Sequence, residues 1–393
     1  MANRATLVHG LGNPFPDELL YSVAARRQSH MRYPSQKGVL DEFFGTETAT
    51  ATLELPGRCA HLKRVVVGRP DWCHHIVEEL TLYPWYAPFL PPERAALIRE
   101  RMLHEDGNGL HILAGITNGG VPNQRYLRYC PECLGRELRE PRIDTPAGKT
   151  WLKPYWHRLH QITGIDVCPT HEVRLVNSEI RRGLTRQTFH CPPERIERAQ
   201  PCTEPILLKV ARLGEALLSK AWQLPEGVSP MEAHRRLVAA KGFTTPGGQM
   251  RLAELVARVK QALPDDYRVL TNCSLGNRPE KTWVAHLLNK DQAHAPIRHL
   301  LFLAALDTTL EEFFAAKAPA APALPVSACG NPLCTQRHLP VTATAHQYSS
   351  SSRCMMADYA CTTCGREWRE RTDKLLPTPA TAIPVPTIAD IAA

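Results

Sequence analysis

The chain has 393 residues, enough for two or three domains with their own cores. Its 47 Lys and Arg outweigh 39 Asp and Glu, and the formal charge of +8 favours an acidic partner such as nucleic acid without demanding one. The opening "MANRATLVHGLGN" lacks the apolar core of a secretory signal, and no run approaches the ~20 apolar residues of a membrane span, so a soluble intracellular protein with no membrane partner is expected.

In chain order, a loose arm precedes "PDELLYSVAARRQSH" (16–30), which reads as an amphipathic helix. Leu19, Leu20, Val23 and Ala24 share its apolar face, and Asp17 and Glu18 are expected at the positive end of its dipole. "SQKGVLDEFFG" (35–45) reads as a second short helix closed by Gly45. The pair suits a helix-turn-helix and any small helical bundle equally. Residues 53–106 read as helical, with Pro92 opening a helix whose inner side is Leu97, Ile98 and Met102.

From 118 to 198 helical patterning weakens while Cys, His, Arg and aromatic residues rise. Helices then resume at 206–222, at 230–240 behind a Ser229/Glu232 capping pair with Gly242 as stop, at 250–263 and at 279–288. Two more lie within 294–315, the second capped by Asp307. A Pro/Ala linker leads to a last small module. The expected architecture is therefore mainly α with small zinc-bound modules. It comprises an N-terminal helix-turn-helix-like domain (1–117), a zinc finger (118–204), a helical, helix-turn-helix-like domain (205–316), a second zinc module of ribbon type (317–376) and a disordered tail (377–393).

In a reducing compartment, 13 cysteines are metal ligands or core thiols rather than a disulfide framework. "YCPEC" places Cys130 and Cys133 two residues apart, and "VCPTH" repeats that gap with Cys168 and His171. A two-residue gap lets one tight turn aim both side chains at one ion, so the pairs suit a closed Cys3His zinc site. His157 and His160 are substitutes for the fourth position. Cys329, Cys334, Cys361 and Cys364 suit a Zn(Cys)4 site, giving two Zn2+ per chain, with Cys354 spare. Cys191 and Cys202 are core thiols or a third half-site. Redox chemistry would need a low-pKa thiol beside a βαβ unit, which neither pair has.

Around the first quartet stand Arg125, Arg128, Arg136, Arg139, Arg142, Lys149, Lys153 and Arg158, interleaved with Tyr126, Tyr129, Trp151, Tyr155 and Trp156. A rigid knot carrying cations suits phosphate tracking, with the tryptophans turned into the core. Arg125, Arg128, Lys153, Arg158 and His160 are the candidate DNA contacts there, Arg158 and His160 projecting outward. Arg366 and Arg369 repeat the theme in the second module, with Arg371 and Lys374 alongside. A zinc-stabilised protein adaptor without DNA contact is the rival. No GxxxxGK[ST], GxSxG or HExxH is present, so no catalytic residue is assigned.

"FPDELLYSVAAR", "TLYPWYAPF", "RYCPEC", "YWHRLHQITGIDVCPTHEVRL", "KTWVAHLL" and "HAPIRHLL" occur in that order. This order resembles the TniQ/TnsD family of transposition target-selection proteins, nearest its TnsD branch. The resemblance implies zinc-finger and helix-turn-helix modules and no catalysis, with both cysteine-rich quartets as the zinc ligands. It implies a bacterial, cytoplasmic, nucleoid-associated protein that binds double-stranded target DNA and recruits an AAA+ ATPase regulator of the transposase. The chain is shorter than long TnsD-type members, so docking on a CRISPR effector complex with guide RNA is the alternative.

Overall fold

The computed structural model describes residues 14–31, 33, 35, 37–64, 72–115, 120–139, 143–145, 148–150, 154–183, 187–245, 248–315, 325–337, 339–349 and 354–372. Trp151, Lys153, Lys374, the first arm, most of the Pro/Ala linker and the tail from 377 lie outside them. The chain forms two compact units, one of residues 1–241 with 252–316 and one of 242–251 with 317–393. The boundaries expected near 117 and 204 therefore fall inside one packed body.

In the first unit, the N-terminal helix runs Leu20–His30 and buries every residue from Leu20 to Arg27. It starts later than its dipole pattern suggested, because Asp17 and Glu18 are used elsewhere. Asp17 sits at φ 58, a left-handed conformation that aspartate tolerates better than most residues. Its backbone carbonyl accepts the Arg158 N–H at 2.7 Å, and Glu18 bridges antiparallel to His157. The Trp156 carbonyl accepts the Leu19 N–H at 3.0 Å, and the Trp156 N–H donates to Ser22 Oγ at 2.9 Å. Two sequence motifs 140 residues apart are thus one structural object, with Trp156 fully buried between them. Burying a large apolar side chain contributes about 1.5–3 kcal/mol, and an aromatic of this area lies at the upper end.

The second helix is Gly38–Phe44, closed by Gly45 at φ 69. A Cβ there would meet the His61 ring at 2.5 Å, so both the backbone turn and the close approach require glycine. Pro92–His104 buries Ile98 and Met102 completely, but Leu97 is 45% exposed and not on its inner face.

Residues 126–181 carry short antiparallel pairings. Tyr126–Tyr129 pairs with Val176–Arg181, Ile143–Thr145 with Gly148–Thr150, and Val167–Cys168 with Val173–Arg174. The helix Pro131–Arg139 stands between the first strand and the rest.

Seven helices follow among the described residues: Pro205–Ser219, Pro230–Ala240, Leu252–Ala262, Asp265–Leu270, Trp283–Asn289, Pro296–Ala305 and Leu310–Phe314. Pro296–Ala305 is the core of this set, buried along nearly its whole length. Ser229 accepts the Glu232 N–H at 3.2 Å, but the Glu232 carboxylate turns to Arg236 at 3.0 Å, leaving half a capping box. Asp307 does not cap the last helix. It takes a left-handed turn at φ 53, and Thr309 with Glu312 forms the full box.

The second unit is β. Val326–Ala328 pairs with Pro340–Thr342, and Cys354–Ala360 is the middle strand between Ala345–Ser349 and Glu367–Arg371. Tyr359 and Trp368 stack across neighbouring strands at 5.0 Å, a cross-strand pair that fixes register. No helix among the described residues is long and apolar enough to cross a membrane.

Candidate metal centres and their surroundings

Cys130 follows the strand Tyr126–Tyr129 and precedes the helix Pro131–Arg139, so Cys133 in its first turn points back to the same spot. The Cys133 N–H donates to Cys130 Sγ at 3.5 Å. Cys168 ends its short strand, and Glu172 at φ 56 turns the chain, donating its N–H to the Cys168 carbonyl at 2.8 Å. That turn delivers His171. Its Nδ1 lies 3.3 Å from Cys133 Sγ, 3.6 Å from Cys130 Sγ and 3.7 Å from Cys168 Sγ, while Cys133 and Cys168 sulfurs are 3.9 Å apart. A tetrahedral ion with bonds of ~2.3 Å to sulfur and ~2.0 Å to nitrogen has edges of about 3.5–3.8 Å. The donor set therefore has the size of one four-coordinate ion.

Its electrostatics agree. The neighbouring thiols of Cys130 and Cys168, and then burial, push the Cys133 thiol far up, so the cluster cannot fully ionise without a cation among its sulfurs. Three thiolates and an imidazole around a divalent ion satisfy that requirement.

Cys329, Cys334, Cys361 and Cys364 form the second group, with all four ligand atoms within 4.8 Å of one another. Cys329 and Cys364 sulfurs are 3.6 Å apart, and those of Cys334 and Cys361 3.9 Å. Gly365 at φ 70 closes the last knuckle. Both groups can hold a metal ion and are consistent with zinc. All four positions in each come from protein, which is the form of a structural rather than a catalytic site.

The alternative ligands fall outside these groups. His157 bonds Glu137 at 2.8 Å, and His160 is buried with its ring 4.5 Å from that of His157. Cys191 and Cys202 are half-buried and belong to neither group. Cys354 is buried and its sulfur lies 3.3 Å from that of Met356.

The candidate DNA contacts divide sharply. Arg128, Arg158 and His160 are 5%, 7% and 3% exposed, which corrects the outward projection expected of Arg158 and His160. Arg128 pairs with Asp166 at 2.7 Å and donates to the carbonyls of Ile162 at 2.7 Å and His160 at 3.2 Å. Arg158 binds Asp17 at 3.1 Å and the carbonyls of Glu78, Thr81 and Leu218. A guanidinium whose N–H groups end on buried carbonyls is a rivet, with nothing left for phosphate. Burial, and then the neighbouring His157, lowers the His160 pKa, so its ring is neutral.

Arg125, Arg366 and Arg369 are exposed, Arg369 in an ion pair with Asp358. Arg136 and Arg139 are also exposed, as are Arg181, Arg195 and Arg198, which the sequence reading passed over. Arg181 lies over the Tyr126 ring at 5.8 Å, and its place in an alternating strand was the available signal.

The TniQ family description matches residues 12–175, and the Tn7-like transposition protein D description matches residues 210–384. "Transposon Tn7 transposition protein TnsD" of Escherichia coli is 28% identical over 159 residues. That alignment covers 40% of this chain and 29% of the relative. Each matched segment holds one four-ligand group. With the two domain types in tandem, the chain belongs to the TniQ/TnsD family.

Proposed function

We propose that this chain is a non-catalytic target-site selector for a Tn7-like transposon. It binds duplex DNA at the insertion target and recruits an AAA+ regulator of the transposase. The observation that carries this reading is the tandem of TniQ and Tn7-like TnsD matches, with a relative named as a Tn7 transposition protein. The second match and the relative both name Tn7, and neither supports the guide-RNA adaptor.

Zn2+ fills both quartets and fixes the modules that present the cations. DNA lies against the arginines left on the surface. In the first unit these include Arg125, Arg136, Arg139 and Arg181, and in the second Arg366, Arg369 and Arg371. Lys153, between Trp151 and Tyr155 in sequence, is a further proposed DNA contact.

The test is binding of fluorescent duplexes from both flanks of the element that carries the gene, across a salt series. One fragment bound far more tightly than the rest, with affinity falling steeply in salt, is the expected result. Binding of none above background at low salt would sink the DNA reading.

A further inference from the structure

The strand Val176–Arg181 exposes Asn177, Glu179 and Arg181 and buries Ser178 between the first two. Alternate residues of a strand share one face, so the three exposed side chains stand in a row. With Tyr126 of the paired strand they line one open groove of about 620 Å3. The ribbon behind them is fixed. Leu127 and Arg128 of the first strand are buried, and Arg128 is held by Asp166 at 2.7 Å. The residue after the row, Arg182, reaches Glu54 at 2.5 Å and donates its N–H to the Arg125 carbonyl at 2.9 Å. The register shifts between Tyr126 and Arg128, so the longer strand bulges against the shorter one. A bulge raises the local right-handed twist and re-aims side chains.

The make-up of the row is not that of a face that only follows phosphate. Arg181 suits a phosphate, but the Glu179 carboxylate repels one. Among the described residues, neither Glu179 nor the Asn177 amide has a side-chain hydrogen-bond or ion-pair partner. All three match base edges instead. Arginine bonds O6 and N7 of guanine, asparagine bonds N6 and N7 of adenine, and glutamate accepts from N4 of cytosine. The dimensions agree as well. A two-stranded ribbon enters a major groove about 12 Å wide. Residues two apart on a strand are separated by ~6.8 Å, close to two base-pair steps of ~3.4 Å.

We propose that the ribbon of Tyr126–Tyr129 and Val176–Arg181 enters the major groove and reads bases through Asn177, Glu179 and Arg181. The proposal rests on the DNA-binding reading above and adds the element that selects sequence. The row spans about five base pairs, with contacts at alternate positions. Each contact should favour its base about 10-fold over the others.

The experiment is selection from a pool of random-sequence duplexes by the full-length chain, read by sequencing. N177A, E179A and R181A should each return the wild-type motif with one position relaxed, the three positions falling within one short stretch. E179Q should exchange cytosine for adenine at its position, because glutamine reads adenine. All four variants should melt as the wild type does, since the altered side chains stand in solvent. On the wild-type motif, E179A should bind about 10-fold more weakly. On unrelated duplexes it should bind no more weakly, because a repulsive charge is gone. Tighter binding to both would make Glu179 a bystander and overturn its role. An identical motif from wild type and every variant would refute the ribbon and leave the DNA reading standing. Enrichment of no sequence by the wild type would bring down the selector reading itself, and this proposal with it.

Discussion

Arg26 grips Glu18 through two parallel hydrogen bonds of 2.7 Å, with the side chains 5% and 0% exposed. The carboxylate also accepts the Ser22 hydroxyl and the Phe15 N–H at 2.9 Å each. The pair closes the start of the N-terminal helix onto the loop before it. Removing one partner strands a buried charge, so E18Q or R26M should each cost about 3–5 kcal/mol of unfolding free energy. Urea denaturation followed by circular dichroism measures it. A loss below ~1 kcal/mol would mean that water reaches the site.

Metal removal should act on folding. Wild-type protein is expected to carry two zincs by elemental analysis, and C168S or C361S one. Chelation should lower the melting temperature of the unit concerned, because ligand sets of this kind fold with their ion. Full metal content in C168S would exclude the first quartet as assigned.

Arginine substitutions should sort by burial. R128A and R158A should destabilise the fold and leave the salt dependence of DNA binding unchanged among molecules that remain folded. R125A and R366A should leave the melting temperature within about a degree and each reduce the salt slope by about one unit. Equal slopes in all four variants would place the DNA elsewhere.

A buried histidine pair predicts acid sensitivity. His234 and His299 are 0% and 1% exposed, with rings 5.0 Å apart, and His299 stacks on Phe89 at 4.1 Å. Burial lowers the His234 pKa to about 4 and that of His299 well below the ordinary value of 6.5. Below pH ~6.5 the unfolded chain binds protons that the folded chain refuses, so stability falls as pH drops from there toward ~4. Each such proton contributes about 1.4 kcal/mol per pH unit. H299F should remove about one proton from the slope measured by denaturation at pH 4.5–7.

The two quartets were legible because their information is local. A gap of two to four residues suffices to aim paired ligands, and His171 follows Cys168 by three. The helix 230–240 was equally legible, since Ser229, Pro230 and Gly242 each act within one turn. The burial of Arg158 was not. Its partners Glu78, Thr81 and Leu218 lie 60–80 residues away, and no pattern near "YWHRLH" encodes those carbonyls. Asp307 misled for a related reason. Aspartate suits both a helix cap and a left-handed turn, and only Thr309 two residues on resolves which.

Tyr267 donates its hydroxyl to the Gly164 carbonyl at 2.5 Å, and a Cβ on Gly164 would strike Ile297 at 2.5 Å. Gly214 likewise brings the Pro205–Ser219 helix against Leu159 and Ile165. The seam between the TniQ and TnsD matches is therefore solid interior, and the halves are not interchangeable cassettes. A recombinant fragment stopping between residues 176 and 204 would be born with an open wound of apolar side chains. Such a fragment should be recovered with chaperones or in inclusion bodies, and a gene shuffled at that seam must import both faces together.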